Sequence, residues 1–165
     1  LRNSGLSFEQ RIMKRAMDIL ISGAMLIVAS PFMLLTALAI KLEDHGPALF
    51  KQERVTIGGK KFYIYKFRSM IVDAEKNGAQ FSTKNDSRIT KVGKFIRATR
   101  LDELPQLLNI LKGDMSIVGP RPERQTYIDE FCQETPEFIY RLKVKAGLTG
   151  YAQIYGKYNT YFIGL

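Results

Sequence analysis

The 165-residue chain has one cysteine and one histidine, Cys132 and His45. A single cysteine excludes an intrachain disulfide and points to a reducing compartment. With one histidine beside it, a His/Cys metal cage is excluded as well, so any metal must be a hard ion held by oxygen. Cys132 reads as a small hydrophobe on a helix face. His45, next to Gly46-Pro47, reads as interfacial, with no serine or cysteine partner for nucleophilic catalysis. There is no internal repeat and no low-complexity tract. No small-residue cleavage site follows the apolar run near the N-terminus, so that run does not read as a cleavable signal. The chain opens with "LRNSGLS" rather than Met, as a piece of a longer protein would. Its length is one domain's worth, enough for a real core.

Charge is missing altogether from residues 19–40, "ILISGAMLIVASPFMLLTALAI", a run of 22 positions. As one straight helix this run would measure about 33 Å, against a bilayer hydrocarbon thickness of roughly 30 Å. Ser30-Pro31 falls near its middle. Pro31 has no N–H for the carbonyl of Ile27, and Ser30 is pushed away from helical angles. A kinked spanning helix, a re-entrant hairpin and a buried soluble helix all fit this much. Both flanks are positive: Arg11, Lys14 and Arg15 on one side, Lys41, Lys51, Arg54 and Lys60 on the other. Positive flanks stay on the cytoplasmic side, which favours the hairpin, each half reaching roughly 16 Å. The expected fold class is therefore α+β and mainly helical. Residues 1–42 form a lead and a re-entrant membrane helix broken at Ser30-Pro31. Residues 43–165 form a compact cytosolic domain with a small β-hairpin and amphipathic helices.

Along that domain, "ALFKQERV" and "KFYIYKFRSM" look extended, and Gly58-Gly59 between them suits a tight hairpin better than a truncated phosphate loop. "IVDAEKNGAQ" predicts a short helix ended by Asn77-Gly78, and "FSTKNDSR" a loop. Ile89, Val92 and Ile96 fall at helical spacing, as do Leu104, Leu107, Leu108 and Leu111 ahead of the stop at Gly113. "DMSIVGPRP" reads as a rigid connection. The stretch from Tyr127 to Leu142 reads as helical with a break at Pro136, and "AGLTGYAQIYGKYN" as loop or strand rather than helix.

The basic charge is concentrated. Residues 51–100 hold 13 Lys and Arg against 4 Asp and Glu, whereas the rest of the chain holds 12 of each, so this third carries the net charge of +9. Such a stretch attracts phosphate, whether on nucleic acid, lipid or nucleotide. Just after it comes "RLDELPQ". Asp102 and Glu103 there would serve an ordinary helix as first-turn acids, with Asp102 the N-cap. They would equally serve as a reactive group among cations. A carboxylate attacking a phosphoryl group meets an anionic substrate: at 4 Å two unit charges interact by about 1 kcal/mol in water and roughly 4 at an effective dielectric of 20. Cations must offset that repulsion. Lys66, Arg68, Arg88, Arg97 and Arg100 precede the pair, and Arg121 follows it, its backbone restricted by Pro120 and Pro122. Adjacent helical residues point about 100° apart, so distinct roles fit better than a shared proton. One acid attacks, and the other orients it or helps bind a metal. The helix N-terminus would keep the attacking acid ionised.

"KQERV", "YKFRSM", "RLDELPQLLNILKGDMSIVGPRP" and "KAGLTGYAQ" together resemble the bacterial sugar transferases, that is, the polyprenyl-phosphate phosphoglycosyl transferases with a single membrane element. The likeness runs from about Lys14 to Gly156. It implies a UDP-sugar donor, a Mg²⁺ cofactor, a polyprenyl (usually undecaprenyl) phosphate acceptor and release of UMP, on the cytoplasmic face of the bacterial inner membrane. On this likeness Asp102 matches the nucleophile, Glu103 its partner, and the pair the metal site. Arg97 and Arg121 match phosphate- and nucleotide-binding arginines, the latter within the Pro120-Arg121-Pro122 motif, and Ser30-Pro31 matches the membrane-helix break. Lys66 and Arg68 complete the expected substrate-binding set. The chain departs from the family pattern at Thr56, Arg100 and Ala146, and it stops at Leu165 where members usually continue. The rival is a non-catalytic, membrane-attached basic module binding anionic lipid or nucleic acid. The resemblance implies a bilayer partner and no nucleic acid, and homo-oligomerisation is left open.

Overall fold

The computed structural model describes residues 7–74 and 86–155. Its first element is one long helix, α1, Phe8–Asp44. Ser7 starts it with a reciprocal capping box. The Gln10 N–H donates to Ser7 Oγ at 3.3 Å, and the Ser7 N–H donates to Gln10 Oε1 at 2.9 Å. His45 ends it in the left-handed conformation, its N–H bonded to the Lys41 carbonyl at 3.0 Å. The sequence predicts two halves separated at Ser30-Pro31; the structure instead carries helix through both residues. The reason is local. Pro31 cannot donate to the Ile27 carbonyl, but the Ser30 hydroxyl does so at 2.8 Å, so the orphaned acceptor is satisfied without unwinding.

One face of α1 lies on the domain along its length. Asp18, Ser22, Thr36 and Ile40 are buried, and Leu26, Met33 and Ala37 pack against the cores, a spacing that keeps all of them on one side. Near the N-terminal end, Lys14 Nζ donates to Ser116 Oγ at 2.6 Å, and Arg15 donates to the Ile110 and Leu111 carbonyls, each at 2.6 Å. Asp18 Oδ1 accepts from the Ile117 N–H at 3.0 Å. Near the other end, Glu43 accepts from the Lys91 N–H at 2.8 Å, and Asp44 pairs with Arg68. The opposite side is apolar and exposed, Leu20, Ile27, Val28 and Leu34 among it. By length and composition α1 could cross a bilayer.

The expected hairpin is present. β1 (Leu49–Val55) pairs antiparallel with β2 (Lys61–Phe67) across a 3-10 turn in which Gly58 and Gly59 take positive φ, 67° and 78°. β2 alternates over its first half, burying Phe62 and Ile64, which join Leu107, Ile110 and Met115 in the main core; Phe67 at its end is buried out of that alternation. α2 (Lys91–Ala98) starts at Thr90, whose hydroxyl accepts from the Gly93 N–H at 2.9 Å. It packs Ile96 with Ile40 and Phe67 in a second cluster. A Cβ on Gly93 would stand 2.0 Å from the Ser69 carbonyl oxygen, so only glycine lets α2 lie this close to the end of β2.

α3 (Gln106–Lys112) ends at Gly113 as predicted but begins later than the acids suggest. Arg100 is left-handed, residues 101–103 form a 3-10 turn, and Pro105 is the N-cap. Asp102 therefore caps no α-helix. The "DMSIVGPRP" connection contains β3 (Ser116–Val118), paired in parallel with β4 (Gly147–Thr149). α4 (Gln125–Glu134) breaks before Pro136 as expected, but residues 136–143 continue as 3-10 rather than α-helix. The final glycine-rich stretch, read as strand or loop, holds β4 and then a short helix, α5 (Tyr151–Tyr155). Most of the helix predicted in "IVDAEKNGAQ" lies outside the described residues, and residues 72–74 are turns.

Candidate active site

The left-handed Arg100, at φ 62°, turns the chain sharply out of α2 and into the 3-10 turn that carries the two acids. The acids then face different surroundings. Glu103 Oε1 stands 3.5 Å from Lys66 Nζ, 3.5 Å from an Arg121 guanidinium nitrogen and 4.0 Å from one of Arg100. Asp102 is buried, 8% exposed, and its Oδ1 has no hydrogen-bond partner among the described residues. Burial pushes both carboxyls up. For Glu103 the charges of Lys66, Arg121 and Arg100 outweigh that push and hold it below the ordinary glutamate value. For Asp102 burial wins. Glu103's charge adds to it, Lys66, Arg97 and Arg100 recover only part, and the carboxyl sits above the ordinary aspartate value. The helix terminus expected to hold Asp102 ionised is absent, because the residue lies in a 3-10 turn ahead of α3.

Asp102 opens onto a cavity of about 680 Å³, between the hairpin, the segment from Ser69 to Ala74, the end of α2 and the start of α4. Lys66, Arg68, Arg97 and Arg121, all predicted from sequence, line it together with Arg88, Arg54 and Arg124. Lys66 is placed from behind. Asn109 on α3 accepts the Tyr65 N–H at 3.0 Å and donates to the Tyr63 carbonyl at 2.8 Å, fixing β2 just ahead of the lysine. Burial lowers the Lys66 ammonium, Arg121 lowers it further, and Glu103 and Asp102 pull it back. Arg68 is buried, pairs through one nitrogen with Asp44, and leaves Nε and Nη1 without partners among the described residues.

Pro120 and Pro122 are not among the cavity walls. Pro122 is buried, and the Pro120 carbonyl accepts the Gly147 N–H at 2.8 Å, anchoring the segment that aims Arg121. Sequence reasoning passed over the wall residues Gln52, Arg124 and Tyr127, and weighed Glu123 as a turn or cap residue that could touch metal or ribose. Arg124 and Tyr127 have a visible signal, since a spacing of three places them on one face of the helix that follows Pro122. Glu123 pairs with Arg54 at 3.4 Å and accepts the Val55 N–H through its carbonyl at 3.0 Å, tying the start of α4 to β1. Among the described residues no three His, Cys, Asp or Glu side chains converge into a metal cage.

The family description "bacterial sugar transferase" matches residues 9–163. The chain is 53% identical over 129 residues to a putative undecaprenyl-phosphate N-acetylgalactosaminyl 1-phosphate transferase of Bacillus subtilis (strain 168), covering 78% of this chain and 72% of that protein. It is 52% identical over 141 residues to a UDP-N-acetylgalactosamine-undecaprenyl-phosphate N-acetylgalactosaminephosphotransferase of Aeromonas hydrophila, covering 86% of this chain and 33% of that protein. Identity to the UDP-glucose:undecaprenyl-phosphate glucose-1-phosphate transferase of Escherichia coli (strain K12) is 45% over 156 residues, 94% of this chain and 34% of the relative. The chain thus spans about a third of the length of the Aeromonas and Escherichia proteins.

Proposed function

The chain belongs to the bacterial sugar transferase family, and from that premise we propose that it moves a phosphosugar from a UDP-sugar to polyprenyl phosphate, with Asp102 as the nucleophile. The observation that carries this is a buried carboxylate with an unpartnered oxygen, opening onto a cavity walled by cations. An Asp102 oxygen attacks the sugar-bearing phosphorus, that phosphorus loses its bond to the bridging oxygen, and UMP leaves with the electron pair. An oxygen of the acceptor phosphate then attacks the same phosphorus. The bond to Asp102 breaks, restoring the carboxylate and giving a polyprenyl diphosphate sugar. Lys66, Arg97 and Arg121 offset the phosphate charge through both transfers. Glu103 holds Lys66 and Arg121 in position and, as an anion, raises the reactivity of its neighbour.

Magnesium is part of the proposal. The unpartnered Oδ1 of Asp102 suits a hard cation, and Glu103, one residue on, is the other acid that would hold it. Bound there, the ion would neutralise diphosphate oxygens, with substrate and water as its remaining ligands. Membrane topology is part of it too. Both halves of α1 lie on the domain, and a helix crossing the bilayer at right angles would draw the domain in with it. This supports a re-entrant α1 that enters and leaves from the cytoplasmic face of the inner membrane. A nucleic-acid-binding module would present its basic residues outward, whereas here seven of them line the cavity.

The test is a burst. With UDP-N-acetylgalactosamine and Mg²⁺ but no lipid, UMP is expected in an amount comparable to enzyme, with a mass increase on the peptide carrying Asp102. Asp102→Asn is expected to lose three or more orders of magnitude in turnover, a loss on the order of that seen when an enzyme nucleophile is removed. Product formation with an unmodified Asp102 peptide would overturn the covalent step.

A further inference from the structure

The cavity walls mix cations with apolar side chains. Phe50 is the cross-strand partner of Lys66, whereas Pro47, Met70, Ile71 and Val72 lie beyond the hairpin's open end, with Ile71 and Val72 about half exposed. Arg68 adjoins that second apolar group, two residues ahead of Met70. Its backbone N–H bonds the Ala48 carbonyl at 2.8 Å, one guanidinium nitrogen pairs with Asp44 at the end of α1, and the guanidinium lies against Gly46 so closely that a Cβ there would overlap it. Its remaining nitrogens, Nε and Nη1, are buried with no partner among the described residues, an arrangement that costs free energy unless an anion completes it.

We propose that this group is the acceptor's own site: Arg68 receives the phosphate of the prenyl phosphate, and the apolar rim of Ile71 and Val72 takes its first isoprene units. The inference rests on the phosphosugar-transfer function and divides its cavity between the two substrates. The donor is water-soluble and its diphosphate needs several cations, which Lys66, Arg97 and Arg121 supply. The acceptor carries one phosphate on a hydrocarbon chain held in the bilayer, so it must arrive beside the membrane helix, with one cation flanked by apolar surface. Arg68, beside Met70, Ile71 and Val72, has that combination and a direct link to the end of α1 through Asp44. Arg68 is then a positioning residue that presents an acceptor oxygen to the phosphorus on Asp102.

The two half-reactions separate the possibilities. Arg68→Gln is expected to raise the acceptor KM about tenfold, the loss of one charge-assisted hydrogen bond, with the UMP burst still comparable to enzyme. A burst lost in parallel with lipid transfer would assign Arg68 to the donor and overturn the proposal. Because Arg68 is buried against Asp44, a second, surface variant guards against misfolding. Ile71→Ser with Val72→Ser is expected to raise KM several-fold both for undecaprenyl phosphate and for a water-soluble two-isoprene phosphate, since both carry the first isoprene units. An effect confined to the long-chain lipid, or none on either, would remove those units from the rim. If the unmodified protein shows no burst, the parent function has failed rather than this assignment.

Discussion

Ionising Asp102 costs more than ionising an aspartate in water, because burial strips its hydration and Glu103 adds a second negative charge nearby. The surrounding cations recover part of that cost, and the remainder is free energy a nucleophile can release on reaching phosphorus. Activity that needs the Asp102 carboxylate must therefore rise with pH through a value above the ordinary aspartate range. Neutralising either neighbour should move this acid limb in opposite directions: Glu103→Gln to lower pH, Lys66→Met to higher pH, read from kcat/KM of UMP release. Both variants lose turnover, but opposite shifts would not come from mere disorder. Stability follows the same sign. The folded carboxyl is raised above its unfolded value, so its contribution falls as pH rises from the ordinary aspartate value through the folded one. Asp102→Asn should accordingly melt above the parent at neutral pH, and the gap should close in acid. The acids and most cations of the site were legible in the sequence, since charge and motif spacing are local properties. Their unequal environments were not, because burial is set by residues distant in the chain.

At the scale of elements, Asn109 joins α3 to the hairpin and shows why the leucine repeat alone understates that helix. Wholly buried among leucines, it supplies the acceptor and donor that the backbone of Tyr65 and Tyr63 would otherwise lack. Asn109→Ala leaves both groups unpaired, which at about 1–3 kcal/mol each gives a loss on the order of 2–6 kcal/mol in urea unfolding. Asn109→Asp restores the acceptor for Tyr65 but not the donor for Tyr63, and should fall between the parent and the alanine variant. Activity should drop in the same order, since Lys66 rides on this strand. The hairpin, α2 and the end of α3 could be read from periodicity and glycines. The start of α3 could not, because the left-handed Arg100 and the 3-10 turn defer it past acids that look like caps. The parallel β3–β4 pair joins three-residue strands across about thirty residues of chain, a register that no local pattern encodes.

For the molecule as a whole, α1 sets where the chemistry happens. Its inner face holds the domain at both ends, and its outer face is a continuous apolar surface that water would not tolerate uncovered. The basic residues flanking its uncharged run 19–40, Arg11 and Lys14 on one side and Lys60 on the other, resist translocation. Two constraints of different origin, packing and charge, support the proposed topology, in which both ends of the helix share one side of the membrane. In that topology Ser30 and Pro31 are where the helix would bend. The proline removes one backbone hydrogen bond at the midpoint and the serine hydroxyl satisfies the freed carbonyl, so a bend there exposes no unpaired acceptor to lipid. In a Cys132→Ser background, single cysteines replacing Gln10 and Lys60 should react with a membrane-impermeant maleimide in inside-out vesicles and be protected in intact spheroplasts. Pro31→Ala restores the missing N–H and straightens the preferred path of the helix. It should shift part of the Gln10→Cys population to the outside and reduce turnover in proportion, leaving Lys60→Cys inside. If Gln10→Cys in the otherwise unaltered protein labels from the outside, α1 spans the bilayer, and the contacts of Lys14, Arg15 and Asp18 with the domain cannot persist in the membrane.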